Sequence, residues 1–72
     1  MDFIGKIIMK FIYNNNEAEY PDGTTVRDLL NEKNIRKAAV WVNDEKLLKA
    51  QYDDFEIKPG DRVRLLRIQA GG

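Results

Sequence analysis

The sequence predicts an α+β fold, in which one main helix packs on one face of a mixed sheet of four to five strands. The order of its segments carries this prediction: two strands, then a short amphipathic helix, then further strands. The chain has 72 residues, of which 43% are hydrophobic and 33% charged, and this composition fits a single globular domain.

A hairpin is expected first. Residues 6–13 are rich in β-branched and aromatic side chains, which favours a strand. Lys10 indicates that one face of this strand is exposed to solvent. Asparagines at 14–16 predict a tight reversal because asparagine tolerates positive φ, so residues 17–20 return as an antiparallel strand. The alternate positions of the first strand form its expected core face: Ile7, Met9, Phe11 and Tyr13.

The helix is expected to begin at Thr25, after a turn over residues 20–23. Thr25 is a hydroxyl N-cap, and Asp28 stands three residues later in the favourable first turn. Asn34 is expected to end the helix in the left-handed conformation, which gives a helix of about two to three turns. A helix this short depends on packing against the sheet for its stability. Its apolar stripe comprises Val26, Leu29, Leu30 and either Ile35 or Ala38.

The second half of the chain predicts two further strands and a brief third one. Residues 38–43 form a strand with Val40 and Val42 inward, and a turn over residues 43–46 leads to a short strand at 47–48. An irregular acidic stretch over residues 52–57 is anchored by Phe55 and Ile57. A type II turn at residues 58–61 then leads to the last strand, residues 62–69, with Val63 and Leu65 inward.

The face of the sheet that the helix leaves uncovered is the expected binding surface. Arg64, Leu66 and Ile68 share this face of the last strand, and Trp41 is expected near Leu66. An apolar patch with a tryptophan and an arginine has the composition of a protein–protein hot spot. The alternatives are that Trp41 only covers neighbouring apolar side chains, or that it supports a homodimer.

Several kinds of chemistry are excluded by what the sequence lacks. It has no cysteine and no histidine, so it offers no thiol nucleophile, no thiolate metal ligand and no imidazole base. The formal net charge is zero, which argues against a nucleic-acid or membrane partner, and no export signal is apparent. Asp53, Asp54 and Glu56 lack calcium-loop spacing. The sequence therefore predicts a cytoplasmic monomer with no metal and no catalytic residues of its own.

Several segments together resemble the ubiquitin-like β-grasp sulfur carriers, over residues 6–72. They are Pro21-Asp22-Gly23-Thr24-Thr25-Val26, then Asp28-Leu29-Leu30, then Ala39-Val40-Trp41-Val42-Asn43, and Gly60-Asp61-Arg62-Val63 before a strand that ends Ala70-Gly71-Gly72. The short length favours the thiamine-biosynthesis type (ThiS) over the longer molybdopterin-synthase small subunit (MoaD). Residues 1–5 depart from the family pattern, because such carriers often begin almost at their first strand. Three explanations are open: a longer first strand, a flexible leader, or an upstream start relative to Met9.

The resemblance implies a reaction at the end of the chain. The Gly72 carboxylate is adenylated by a ThiF/MoeB-like adenylyltransferase that uses ATP, and a cysteine desulfurase or rhodanese-type donor converts it to a thiocarboxylate (1-thioglycine). The flexible tail, residues 70–72, threads into the partner through Ala70 and Gly71. The resemblance carries the docking role over to Leu66 in particular, within the predicted patch of Trp41, Arg64, Leu66 and Ile68. The sulfur acceptor is a thiazole synthase, and the chain is a co-substrate with no bound cofactor.

Other functions stay open from the sequence. The carrier could serve molybdopterin or tungstopterin synthesis with a pterin-synthase large subunit, or tRNA thiolation, or cysteine synthesis. A ubiquitin-like modifier would join Gly72 to a lysine of a target protein. A non-reactive interaction module would have a frayed Gly71-Gly72 end, since termini are often glycine-rich.

Overall fold

The computed structural model describes residues 7–68 of the chain. These residues form a five-stranded sheet with the strand order β2-β1-β5-β3-β4. The β1–β5 pair is parallel and the other pairs are antiparallel, so the predicted mixed sheet with one α-helix is confirmed. The elements are β1 Ile8–Tyr13, β2 Asn16–Pro21, α1 Val26–Glu32, β3 Ala38–Val42, β4 Glu45–Lys46, a 3₁₀-helix Lys49–Gln51, and β5 Arg62–Arg67.

Asparagine builds the first turn as predicted. Asn14 and Asn15 have φ values of 47° and 70°, the left-handed conformation that a two-residue hairpin turn requires. The β1–β2 register then places Met9 opposite Tyr20 and Phe11 opposite Ala18. Met9 and Phe11 are buried, which confirms the inner face assigned to these two residues.

The helix begins and ends where its capping residues predict. The Asp28 amide donates to Thr25 Oγ1 at 3.1 Å, and the Thr25 amide donates to the Asp28 carboxylate at 3.1 Å. This reciprocal pair satisfies two donors that a helix N-terminus otherwise leaves unpaired. The helix has seven residues, and Asn34 follows it with a φ of 59°. A helix this short depends on the apolar face that it buries.

One hydrophobic core lies between α1 and the inner face of the sheet. The largest fully buried side chains come from the helix, from three strands and from the loop before β5. They are Phe11, Leu29, Leu30, Ile57, Val26, Val40 and Val63. Each such side chain contributes about 1.5–3 kcal/mol to folding through apolar burial. No helix within the described residues is long and apolar enough to cross a membrane.

Two predictions for the strands were wrong. Ile7 was expected in the core, but it is 67% exposed because it lies beyond the last residue pair of the hairpin, Ile8 with Pro21. The fourth strand is Glu45–Lys46 and not residues 47–48. Asn43 and Asp44 both have positive φ and complete the reversal in two residues, so the strand begins earlier than expected.

The segment between β4 and β5 is more ordered than the sequence indicated. Lys49–Gln51 form a 3₁₀-helix, and Tyr52 after it is buried, with its hydroxyl donating to the Ala38 carbonyl at 3.0 Å. Ile57 is buried and Phe55 is half-buried, as predicted for the two anchors. Gly60 has a φ of 84°, which confirms the predicted type II turn.

Candidate functional site on the outer sheet face

Strands β3 and β5, with the residue that follows β5, carry the predicted binding residues on the side of the sheet opposite the core. We call Trp41, Arg64, Leu66 and Ile68 the outer patch. In the β3–β5 register, Trp41 lies opposite Arg64 and Ala39 lies opposite Leu66. Leu66 is 60% exposed and Ile68 is 51% exposed, whereas Val63 and Leu65 are buried on the inner face. The structure thus brings the four predicted residues to one surface.

Trp41 is held between two cations. The Arg64 guanidinium carbon lies 5.4 Å from the centre of the indole ring, and the Lys46 ammonium lies 5.9 Å from it. Leu66 is a diagonal neighbour of Trp41, two pairs further along the strands and therefore on the same face of the sheet. Exposed cation–π contacts of this kind contribute about 0.5–1 kcal/mol each. They hold the ring in place on a surface that the helix does not cover.

Asn14 fixes the half of β5 that carries the patch, a role that the sequence did not predict. The β1–β5 pairing ends at Tyr13 with Val63, where the chain turns away into the hairpin. Asn14 then continues the ladder with its side chain: Nδ2 donates to the Leu65 carbonyl at 3.2 Å, and the Leu65 amide donates to Oδ1 at 2.8 Å. The asparagine run was the available signal, but its partner lies 51 residues away.

The residue after β5 is bonded to the residue before β3. The Ile68 amide donates to the Lys37 carbonyl at 3.0 Å, and beyond this bond the chain leaves the described residues. The predicted tail residues Ala70, Gly71 and Gly72 and the predicted leader, residues 1–5, lie outside the described residues. Gly72 follows Ile68 by four residues, so the two α-carbons are at most about 14 Å apart.

The arginines of β5 have different surroundings. Arg62 forms a salt bridge of 3.2 Å with Asp44, Arg64 packs on Trp41, and Arg67 lies on the alternate face. In the acidic loop, Asp53 pairs with Arg27 at 2.7 Å and remains well exposed. Within residues 7–68, no three acidic side chains are grouped in a way that could hold a metal ion.

A separate polar cluster lies where the hairpin meets the helix. The Tyr20 hydroxyl donates to Glu32 Oε1 at 3.0 Å, and the Lys33 ammonium lies 4.6 Å from the centre of the Tyr13 ring. Partial burial raises the pKa of Tyr20 above its ordinary value, and the bond to Glu32 raises it further. Tyr20 therefore stays neutral until the solution is strongly alkaline, and its hydroxyl keeps its proton for the bond to Glu32 at neutral pH.

The fold defines a class of protein before any comparison. A mixed sheet in the order β2-β1-β5-β3-β4 with one helix across one face is the ubiquitin-like β-grasp architecture. The chain belongs to the ThiS family, whose model matches residues 9–72. The predicted resemblance to ubiquitin-like sulfur carriers is therefore confirmed.

A solved structure agrees with this assignment. The crystal structure of the thiamine biosynthesis protein ThiS from Geobacter metallireducens superposes with a TM-score of 0.74 at 25% sequence identity. The match covers 89% of this chain and 100% of that chain. A search of curated proteins gave no match. The family match begins at Met9 and runs through the two final glycines.

Proposed function

We propose that this protein is a sulfur carrier whose reacting group is the Gly72 carboxylate, and that it supplies sulfur for the thiazole of thiamine. The family match carries this proposal, because it extends over residues 9–72 and so includes Gly71-Gly72. The thiamine branch is supported by the solved structure of a thiamine biosynthesis protein with the same fold.

The first step activates a carboxylate that is unreactive by itself. A C-terminal carboxyl has a reference pKa of about 3.3–3.7, so Gly72 is an anion at neutral pH and resists attack by another nucleophile. One of its oxygens attacks the α-phosphorus of ATP, a new P–O bond forms, and pyrophosphate leaves. The product is an acyl-adenylate, in which AMP has become a good leaving group. A ThiF/MoeB-like adenylyltransferase supplies the ATP site.

The second step replaces that leaving group with sulfur. A persulfide on a partner cysteine attacks the Gly72 carbonyl carbon, AMP departs, and an acyl disulfide links the two proteins. A thiol then attacks the cysteine sulfur of that disulfide, forming a new disulfide and releasing the thiocarboxylate of Gly72. The persulfide comes from a cysteine desulfurase or a rhodanese-type donor. The thiocarboxylate sulfur is the nucleophile that thiazole synthase receives.

The tail is suited to entering a narrow active site. Gly71 and Gly72 have no Cβ atom, so they reach backbone conformations that other residues avoid and occupy little width. Ala70 adds only a methyl group before them. These three residues are proposed to thread the channel of the partner while the folded domain stays outside.

The outer patch is proposed as the surface that docks those partners. Trp41 and Arg64 belong to residue types that dominate binding energy at interfaces, and Leu66 and Ile68 add exposed apolar area beside them. Because Ile68 lies four residues from Gly72, a partner bound to the patch also holds the tail near its catalytic groups. The chain is thus a protein substrate, and the ATP, persulfide and thiol chemistry belongs to its partners.

Adenylation tests the proposal directly. The intact protein with its cognate adenylyltransferase should catalyse exchange of labelled pyrophosphate into ATP. A variant with one alanine added after Gly72 should give no exchange above background, since its carboxylate is displaced by a residue that carries a Cβ atom. Its Tm should equal that of the parent. Equal exchange by the extended variant would overturn the assignment of Gly72 as the reacting residue.

A further inference from the structure

A second concave surface lies beside the outer patch. It has a volume of about 450 Å³ and runs along Ala38 and Ala39 at the start of β3. Leu47 and Tyr52 are buried side chains of its lining, while Leu48 and Ile68 are exposed. We call this surface the basic cleft. Its volume is within the range of sites that bind a compact ligand or a few side chains of another protein.

The walls of the basic cleft are positively charged. Five cationic side chains line it, and no acidic side chain does: Arg27, Arg36, Lys37, Lys46 and Lys49. Arg27 is paired with Asp53, but the other four form no salt bridge with any residue of 7–68. An adjoining hollow shares Arg36, Lys37 and Ile68 with the cleft and adds Arg67, which is also without such a partner.

Most cations elsewhere in the described residues are paired with an acidic side chain. Among the described residues, each cation outside the basic cleft and its adjoining hollow has an acidic side chain within 4.0 Å, except Arg64. Arg64 packs on Trp41 instead. The paired cations are Lys10, Lys33, Lys58 and Arg62. The formal net charge of zero therefore conceals a strong separation of charge. Like charges held close together repel, and an anionic ligand relieves that repulsion.

The lining of the cleft favours an acidic peptide over a nucleic acid. Tyr52 is the aromatic residue of the lining, but its hydroxyl is bonded to Ala38, and the Arg27 guanidinium lies 5.8 Å from the ring centre. The ring is buried and offers no open face on which a base could stack. Apolar side chains between cations suit a segment that combines carboxylates with an apolar anchor.

We propose that the basic cleft binds an acidic segment of the adenylating partner, with an apolar side chain of that segment between the cations. The proposal rests on the proposed function, which supplies the partner. Ile68 belongs to both the cleft and the outer patch, and Lys46 lines the cleft and contacts Trp41. The two surfaces are therefore continuous, and a partner that covers both encloses the strand end from which the tail continues.

A peptide-binding measurement tests the cleft without any enzyme. The probe is a fluorescein-labelled peptide of alternating glutamate and leucine, followed by anisotropy against the full chain. Arg36→Glu combined with Lys49→Glu should weaken its binding by about tenfold or more, since two attractive charges become repulsive. The matched control, Lys10→Glu with Lys58→Glu, makes the same change of net charge away from the cleft and should alter binding by less than about twofold. Raising the salt from about 50 to 300 mM should weaken binding to the parent.

The kinetics of adenylation then test the partner. With the cognate adenylyltransferase, the cleft variant should raise KM for the carrier by about tenfold and leave kcat within about twofold of the parent value. The control variant should match the parent in both. If the parent is not adenylated at all, the proposed function fails, while the peptide measurement still decides whether the cleft binds acidic segments.

Other outcomes overturn the inference. Equal peptide binding by the cleft and control variants would show that the cleft is not the site. Cleft-dependent binding of a single-stranded RNA oligomer or of phosphatidylserine vesicles, with no peptide binding, would replace the protein partner by a nucleic acid or a membrane. Should the charge-reversed cleft variant have a lowered Tm, Arg36→Gln with Lys49→Gln removes the charges without adding new ones, and about threefold weaker binding is then expected.

Discussion

The two ends of the sheet differ in how they use charged and apolar side chains. Where the hairpin meets the helix, Tyr20 bonds to Glu32, and Lys33 lies over Tyr13. Along β3 and β5, by contrast, Leu66 and Ile68 face solvent, and several cations have no acidic partner among the described residues. At the first end, the polar and charged side chains interact with one another. At the second end, exposed apolar side chains and cations without an acidic partner are available to a ligand. Stability and binding should therefore respond to different substitutions.

The largest expected effect is on stability, from the buried side chains under the helix. Leu29→Ala should lower the free energy of unfolding by about 2–5 kcal/mol, because it removes a fully buried side chain and leaves a cavity. The exposed counterpart Leu66→Ala should cost less than about 0.5 kcal/mol. Urea denaturation followed by tryptophan fluorescence measures both. Similar losses for the two variants would contradict the distinction between the buried core and the exposed face of β5.

A large effect on affinity is expected at the opposite face. Trp41→Ala should raise KM for the carrier in adenylation by about tenfold or more, since truncating an interface tryptophan removes a large contact. Its cost in stability should be smaller than that of Leu29→Ala because the ring is half-exposed. Trp41→Phe keeps an aromatic ring and should recover part of the affinity. A lower Tm with an unchanged KM would assign Trp41 a purely structural role.

Asn14 links the hairpin turn to β5, and its substitution should lower stability and weaken the protection of β5. Asn14→Gly keeps a residue suited to positive φ but loses both side-chain bonds to Leu65, so we expect a loss of about 1–3 kcal/mol. Asn15→Gly is the matched control, because Asn15 also has positive φ and should change stability by less than about 0.5 kcal/mol. Hydrogen exchange of the Leu65 amide should accelerate only in the Asn14 variant. Unchanged protection there would contradict the role given to the side chain.

The smallest effect is expected in the polar cluster where the hairpin meets the helix. Tyr20→Phe should cost about 0.5–1.5 kcal/mol at neutral pH through loss of the bond to Glu32. The raised pKa of Tyr20 means that the folded state holds this proton more tightly than the unfolded chain. Its stabilising contribution is present below the pKa of the unfolded chain and is lost as the pH rises through the higher folded value. The difference in stability between parent and variant should thus shrink in strongly alkaline solution, and a constant difference would contradict this.

The sequence predicted what depends on neighbouring residues. The Thr25–Asp28 capping pair, the left-handed Asn34 and the Gly60 turn follow from local backbone preferences, and all three were confirmed. Alternation likewise identified the inner face of β3 and β5. The bond between Asn14 and Leu65 could not be predicted, because it joins residues whose proximity depends on the whole sheet.

The candidate site was predictable to a similar degree. Alternation along β5 placed Arg64, Leu66 and Ile68 on one face, and the structure adds that Trp41 lies opposite Arg64. The basic cleft could not be found from the sequence, since its cations come from the helix, from the segment before β3, from β4 and from the 3₁₀-helix. Composition alone gave a net charge of zero, and only the fold separates the paired cations from those without partners.

The most direct test of the central claim is the intact mass of the chain after reaction. The protein is incubated with ATP, its cognate adenylyltransferase and a persulfide donor, with a parallel reaction lacking ATP. We predict a product heavier by the difference between one sulfur and one oxygen, with fragmentation placing the change on Gly72, and no such product without ATP. An unchanged mass, while the same enzymes convert an authentic sulfur carrier, would contradict the account.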